Sequence, residues 1–350
     1  MPSATITLPP APPFVVGPKT RKATRPTNKL PQALIDETQA IEKEVFNPVK
    51  HLNFQSPEKV YTMEEIGLKG HGISPVAASD PFSLFTVEAV KQMRAEIFSE
   101  SVLENCQFAS SFAKNMVRGM GRERAPFTYA AWNSPDLLAN ISKVAGIDLS
   151  IAIDYEVANI NISVSPDPAT VAQNGSTDNP SEDNLPAFAW HYDSYPFVCV
   201  TMLSDCTGMV GGETAIKTPS GEVIKIRGPA MGTAVMMQGR YIEHQALKAL
   251  GGRERISMVT SFRAKSPFIR DETVLTGSRP ISNWSELYTQ YTEYRLEILE
   301  ERIRAKLKLE RQRELGKEPF DFASVQNFLL EQKLHLESMM TELTEMEDME

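Results

Sequence analysis

The sequence predicts a mainly β core with helical segments on both sides. From Ser150 to about residue 265, apolar and polar residues alternate with a period of two, in short runs bounded by glycine, proline or polar residues. No helical period interrupts these runs, which favours an antiparallel sandwich or barrel over an alternating α/β fold. Before and after this region, apolar residues recur at the spacing of amphipathic helices.

The N-terminal third divides into two parts. Residues 1–32 are rich in proline and basic side chains and lack a hydrophobic period, which predicts an extended or disordered lead-in. Residues 33–150 are expected to be mainly helical. Their clearest helix follows the cap and proline signal Ser79-Asp80-Pro81, with an apolar face formed by Val87, Val90, Met93 and Ile97.

The central part, residues 151–270, carries the strands. The run VANINISV, residues 157–164, places Asn159, Asn161 and Ser163 on one face and apolar side chains on the other. The runs PFVCVTML, GGETAIKT, GEVIKIRG, GTAVMMQG and RISMVTSF follow after a polar loop. This succession predicts a sheet with one face turned to an apolar core.

The C-terminal part, residues 271–350, returns to helix. A long charged helix is expected after Pro280, a break at GKEPFD, and a last helix capped by Asp321. Such a hairpin can buttress the core, close over a site as a lid, or contact a second copy in a homo-oligomer. The sequence leaves these roles open.

Composition narrows the class of function. The chain has 350 residues, 41% of them hydrophobic, and a net charge of −9, which gives no electrostatic footprint for nucleic acid. It has no apolar run of about 18 residues, so no membrane partner is expected, and no secretory segment is recognisable. Its three cysteines form no CxxC pair, which indicates a reducing compartment, so we expect a cytoplasmic protein. The ordinary charge and composition favour a small-molecule substrate over nucleic acid.

The stretch AWHYDSYPF carries two metal-binding residue types in a strand-like run. His191 and Asp193 stand at i and i+2, so both side chains leave the same face of a strand. Among the five histidines, His244 is the one that falls in the same β region. Two imidazoles and one carboxylate on one side of an ion leave open coordination positions, as in non-haem Fe(II) oxygenases.

A second polar pair follows in RISMVTSF. Arg255, Ser257 and Val259 share one strand face, which turns a guanidinium and a hydroxyl towards an otherwise apolar surface. A buried arginine needs an anionic partner, which is either a protein carboxylate or a bound ligand. Arg253 is the competing anchor, but it stands next to two glycines in an expected turn.

Taken in order, His191-x-Asp193, His244 and Arg255-x-Ser257 resemble the Fe(II)/2-oxoglutarate-dependent oxygenases, particularly fungal members of the clavaminate and isopenicillin-synthase-like group. The resemblance covers about residues 155–265. It implies a double-stranded β-helix of the jelly-roll, cupin-like type, as a single catalytic domain with helical extensions. It also implies that the first three residues hold Fe(II), that Arg255 and Ser257 bind 2-oxoglutarate, and that Asn161 contacts the co-substrate.

The activity implied by this resemblance is oxidation of a small molecule with O2 by hydrogen-atom abstraction, in fungal secondary or amino-acid metabolism. Hydroxylation, desaturation and cyclisation remain open, including aziridine-forming C–N cyclisation of a small amino acid. A cupin-like metal-binding protein without oxygenase activity is the second alternative. Substrate contacts are suggested loosely by nearby aromatic and basic residues: Arg118, Arg122, Tyr129, Trp132, Tyr195 and Phe197.

Overall fold

Antiparallel β-structure forms the centre of the chain and helices flank it. The computed structural model describes residues 10–18, 24–26, 29–111, 113–164, 190–205, 207, 210–226, 230–247, 249–250 and 254–345. Its helices are α1 (Gln32–Gln39), α2 (Pro48–His51), α3 (Val87–Ile97), α4 (Glu100–Asn105), α5 (Gly121–Arg124), α6 (Pro126–Trp132), α7 (Pro135–Ala145), α8 (Trp284–Leu315) and α9 (Phe322–Glu342). Its strands are β1 (Val60–Thr62), β2 (Val76–Ser79), β3 (Phe82–Ser83), β4 (Gln107–Phe108), β5 (Met116–Val117), β6 (Leu149–Ile151), β7 (Asn159–Val164), β8 (Phe197–Met202), β9 (Val210–Gly211), β10 (Thr214–Lys217), β11 (Val223–Ile226), β12 (Thr233–Met237), β13 (Glu243–Ala246), β14 (Ala249–Leu250) and β15 (Glu254–Ala264).

Ten of the described strands form one large sheet. Its order is β1-β2-β12-β8-β15-β7-β5-β4, with β3 also paired to β12 and β6 to β15. The longest strand, β15, pairs antiparallel with β8 on one side and with β7 on the other. In this register Ser257 lies between Met202 and Asn161, so these three side chains share one face of the sheet.

A smaller sheet of order β11-β10-β13 faces the large one. Side chains from both sheets form one apolar cluster between them: Ile216 and Ile226 come from the small sheet, and Val198, Val235 and Met237 from the large sheet. Opposite residues of an antiparallel pair point to the same side, and Ile216 is paired with His244. His244 therefore points into the space between the sheets.

The N-terminal helices cover the other face of the large sheet. Trp132 of α6 is fully buried and packs edge-on against Phe85 and at a tilt against Phe262 of β15. Thr86 precedes α3, and its side chain accepts a hydrogen bond from the Ala89 amide. Gly146 follows α7 and has φ 67°. Residues 33–150 also contribute strands β1 to β5, which the helical interpretation of this part did not include. These strands span two to four residues, too few for an alternating pattern to be visible in the sequence.

The C-terminal hairpin of α8 and α9 is attached to the body by ion pairs. Arg295 lies 3.4 Å from Asp271, and Arg279 lies 3.1 Å from Glu342. Asp321 caps α9 by accepting a hydrogen bond from the Ser324 amide, as the sequence predicted. Within the part of the chain that the structure describes, none of the helices has the length and apolar character needed to cross a membrane.

Candidate metal centre

The backbone holds two histidines side by side. The His191 amide donates to the His244 carbonyl at 2.9 Å, and the His244 amide donates back to the His191 carbonyl at 3.0 Å. This isolated bridge adds the segment around His191 to the free edge of β13 in the small sheet. The two imidazole rings consequently lie with their centroids 4.3 Å apart.

Asp193 completes a cluster of three potential ligands. Its Oδ1 lies 3.4 Å from His191 Nε2 and its Oδ2 lies 3.4 Å from His244 Nε2. One ligand atom from each residue lies within 4.8 Å of the other two, and among the described residues this is the only such cluster. Ligand atoms on neighbouring corners of an octahedron are about 3 Å apart when the metal bonds are about 2.1 Å. The spacing therefore suits a first-row transition metal.

The surrounding groups orient the ligand atoms. His244 Nδ1 lies 2.9 Å from the Ile242 carbonyl. Because a carbonyl only accepts, Nδ1 carries the hydrogen, and Nε2 keeps its lone pair for a metal. Asp193 Oδ2 is buried and accepts no hydrogen bond among the described residues, which leaves this oxygen available as a metal ligand. These features fit a metal ion.

A glycine makes room for the carboxylate. Gly239 lies in the turn between β12 and β13, and its carbonyl accepts a hydrogen bond from the Asp193 amide at 2.9 Å. A Cβ at Gly239 would lie 1.8 Å from Asp193 Oδ2. The sequence interpretation missed this residue, although a glycine five residues before His244 was a visible signal.

The two imidazoles favour the ionised form of the Asp193 carboxylate. Burial alone would raise the pKa of Asp193, but the imidazoles of His244 and His191 hold it below its usual value. Burial alone would lower the pKa of His244, but the Asp193 carboxylate raises it. A metal ion therefore competes with a proton for His244 Nε2, so metal affinity should fall as the pH is lowered.

The second polar pair lies on the inner face of the large sheet. Arg255 is half-buried, its Nη2 donates to the Gly212 carbonyl at 3.2 Å, and its Nη1 lies 3.5 Å from Ser257 Oγ. Gly212 lies in the short link between β9 and β10, two residues before β10 begins, so the guanidinium reaches from the large sheet towards that link. Ser257 is buried, and Asn161 is opposite to it on β7. The competing Arg253 lies outside the described residues.

The loosely suggested substrate contacts have different environments. Arg118 is buried and forms an ion pair with Glu156, whose other oxygen accepts from Asn159 at 2.7 Å. Tyr129 donates to the Asp154 carbonyl at 2.7 Å, and Trp132 belongs to the core under the N-terminal helices. Arg122 is largely exposed at the surface. The remaining two, Tyr195 and Phe197, are buried.

Comparisons with known proteins give distant structural likenesses only. No protein-family model and no curated protein matches the chain. An oxidoreductase of the 2OG-Fe(II) oxygenase family from Burkholderia pseudomallei is 14% identical, with a TM-score of 0.31, over 42% of this chain and 65% of its own. A Pseudomonas putida prolyl-4-hydroxylase is 16% identical, with a TM-score of 0.30, over 51% of this chain and 88% of its own. The non-heme monooxygenase ThoJ, in a nickel complex, is 13% identical, with a TM-score of 0.37, over 64% of this chain and 96% of its own. At these values the likenesses assign no function.

Proposed function

We propose that this protein is a non-haem Fe(II)/2-oxoglutarate-dependent oxygenase that oxidises a small molecule. The observation that carries the proposal is the cluster of His191, Asp193 and His244, in which two imidazole nitrogens and one carboxylate oxygen converge from one side. This donor set is the facial triad of non-haem iron oxygenases, because three coordination positions stay open. A structural zinc site would instead use a closed set of four protein ligands.

The fold that accompanies this function is a double-stranded β-helix. Two features support it: antiparallel sheets face each other across an apolar cluster, and the ligand residues His191 and His244 meet at the edge of the small sheet. Val198, Val235 and Met237 line the cluster between the sheets and exclude water from the space behind the ligands.

Arg255 and Ser257 are the proposed anchors for the distal carboxylate of 2-oxoglutarate, with Asn161 next to them. A guanidinium offers two parallel N–H donors, which match the two oxygens of a carboxylate. The hydrogen bond from Arg255 to the Gly212 carbonyl fixes the position of the guanidinium between the sheets. The dicarboxylate would lie between this guanidinium and the metal ligands.

Iron and 2-oxoglutarate, when bound, would supply oxidation by O2, which this set of side chains cannot perform alone. The chain's own residues have supporting tasks. Asp193 provides the negative charge that balances the ion, and the His244 ring is held in one tautomer by Ile242. A substrate would approach the open side of the triad. We propose hydrogen-atom abstraction leading to hydroxylation, desaturation or cyclisation of a metabolite of secondary or amino-acid metabolism.

The proposal is tested by anaerobic titration of the protein with Fe(II) and 2-oxoglutarate. We expect a metal-to-ligand absorption band in the visible range and, after air is admitted, slow formation of succinate without added substrate. His191→Ala and Asp193→Ala should remove both signals while circular dichroism and the melting temperature stay close to those of the wild type. His71→Ala, a histidine outside the cluster, is the matched control and should leave both signals unchanged.

Two results would contradict the proposal in different ways. Binding of Fe(II) without any effect of 2-oxoglutarate would instead support a cupin-like metal protein that is not an oxygenase. Failure to bind Fe(II) at all, in a folded protein, would mean that the three side chains are a structural cluster.

A further inference from the structure

The C-terminal hairpin extends beyond the body of the protein. The buried residues of α8 all lie in its first half: Leu287, Tyr291, Tyr294, Arg295 and Ile298. The buried residues of α9 all lie from its middle residue onwards: Gln332, His335, Met339 and Glu342. Between them, residues 299–331 contain no buried residue, and we call this segment the arm. The body therefore does not cover the arm.

An exposed apolar row runs along α8. Leu296, Ile303 and Leu307 are 48%, 41% and 49% exposed. Their spacing of seven and then four residues places all three on one side of the helix, and we call this row the α8 stripe. Helix α9 adds exposed apolar residues with similar spacing: Phe322, Leu329, Leu336 and Met340. Exposed apolar residues that recur on one side of a helix indicate an interaction site more strongly than residues scattered singly.

The charges of α8 are separated along its length. The segment from 284 to 301 carries five glutamates and one arginine, whereas the segment from 302 to 315 carries six basic residues and two glutamates. The acidic half and the basic half meet next to Ile303. A second α8 laid parallel to the first would face like charges, but one laid antiparallel would place the acidic half of each helix against the basic half of the other.

We propose that the α8 stripe binds a second copy of this chain, with the two α8 helices antiparallel and a two-fold axis near Ile303. A two-fold interface uses the same surface of both copies, so that surface has to be complementary to itself. Glu297 lies six residues before Ile303 and Lys308 lies five residues after it. In the antiparallel pair, Glu297 of each copy therefore faces Lys308 of the other copy. Glu293 and Arg311 form a second such pair. At about 1.5 Å per residue, the helix of 32 residues offers a seam of about 48 Å.

Hydrogen bonds at the base of the hairpin hold the α8 stripe in a fixed orientation relative to the body of the protein. Arg302 donates to the Ile269 carbonyl at 2.9 Å, and Arg295 donates to the His335 carbonyl, also at 2.9 Å. The two copies would consequently associate through preformed helices, without first ordering a flexible segment. The interface lies on residues other than those of the metal cluster, so its test is independent of the proposed activity.

The first experiment measures the mass of the full chain in solution by light scattering after gel filtration, over a range of concentrations. We expect twice the 39.0 kDa of one chain, with dissociation on dilution. Ile303→Gln combined with Leu307→Gln should yield single chains with unchanged circular dichroism. Leu315→Gln is the matched control, because Leu315 is 84% exposed on the same helix but lies off the stripe, and it should stay dimeric.

The second experiment exchanges charges. Glu293→Lys with Glu297→Lys makes the four facing positions 293, 297, 308 and 311 all basic, and Lys308→Glu with Arg311→Glu makes the same four positions all acidic. Each variant alone should be a single chain at low salt, a mixture of the two should form a dimer with one copy of each, and the fourfold variant should dimerise again. A wild type that is a single chain at all concentrations, a species larger than a dimer, or variants that do not pair on mixing would overturn the proposal.

Discussion

Replacement of Gly239 by alanine tests whether the metal cluster depends on the space beside Asp193. The new Cβ would lie 1.8 Å from Asp193 Oδ2 and 2.7 Å from its Cγ. An ordinary contact between carbon and oxygen is about 3.4 Å, so the carboxylate has to move by about 1.5 Å. Metal ligands tolerate errors of about 0.2 Å, and the displaced oxygen can no longer complete the site.

The expected effect is confined to the site. Gly239 has no positive φ, so alanine introduces no backbone strain, and the Gly239 carbonyl still accepts the Asp193 amide. Forcing one side chain off its rotamer costs about 1 kcal/mol. Loss of a supporting contact at a metal site weakens binding by about 10- to 100-fold, and displacement of a ligand should cause at least that loss.

The assay is calorimetric titration with Co(II) or Fe(II), paired with a thermal unfolding curve of the metal-free protein. Gly316→Ala is the control: it lies at the C-terminus of α8 with a φ of −75°, and the nearest atom to its new Cβ would be 3.4 Å away. We expect the control to bind metal like the wild type. If Gly239→Ala also binds with wild-type affinity, the carboxylate is not held where this reasoning requires.

Three further changes have definite expected results. Arg255→Lys should weaken 2-oxoglutarate binding more than metal binding in the anaerobic titration, because a point charge cannot replace the two-pronged guanidinium; equal loss of both would refute the assigned role. Burial, together with the nearby Arg295, lowers the pKa of His335 to about 4 from an ordinary 6.5. As the pH falls below 6.5, His335 therefore becomes protonated in the unfolded chain but stays neutral in the folded chain. Stability should therefore drop by about 2 kcal/mol between pH 7.5 and pH 5 in urea unfolding, and His335→Gln should remove that part of the drop; an unchanged pH profile would exclude His335 as its source. Arg118→Met should cost about 3–5 kcal/mol by leaving the buried Glu156 without its partner, and Glu156→Gln added to it should recover part of the loss; a cost below about 1 kcal/mol would mean that water reaches the pair.

The parts of the fold that could be predicted from the sequence are those whose pattern is local. The alternation in VANINISV predicted β7, which spans Asn159–Val164, and the apolar spacing after Pro81 predicted α3. Asp321 was recognisable as a cap because its effect acts within one helical turn. The two short strands Gln107–Phe108 and Met116–Val117 were not recognisable, because two residues are too few to show an alternating pattern.

The candidate site was predictable as a set of residues but not as a geometry. The spacing of His191 and Asp193 indicated a shared face, and the scarcity of histidines pointed to His244. The mutual backbone bridge between the two histidines depends on the register of the small sheet, which no local pattern specifies. Gly239 went unnoticed for the same reason, since its importance lies in a contact made only after the turn has formed.

The reciprocal amide bonds of His191 and His244 link metal affinity to the integrity of the sheet edge. Any opening that frees these two amides also parts the imidazoles, so an ion that binds both rings resists that opening in proportion to its occupancy. A bound ion would then cross-link the two chain segments that carry His191 and His244. Exchange of these two amides with heavy water should slow when metal is added, and this effect would report ion binding even where no turnover can be measured.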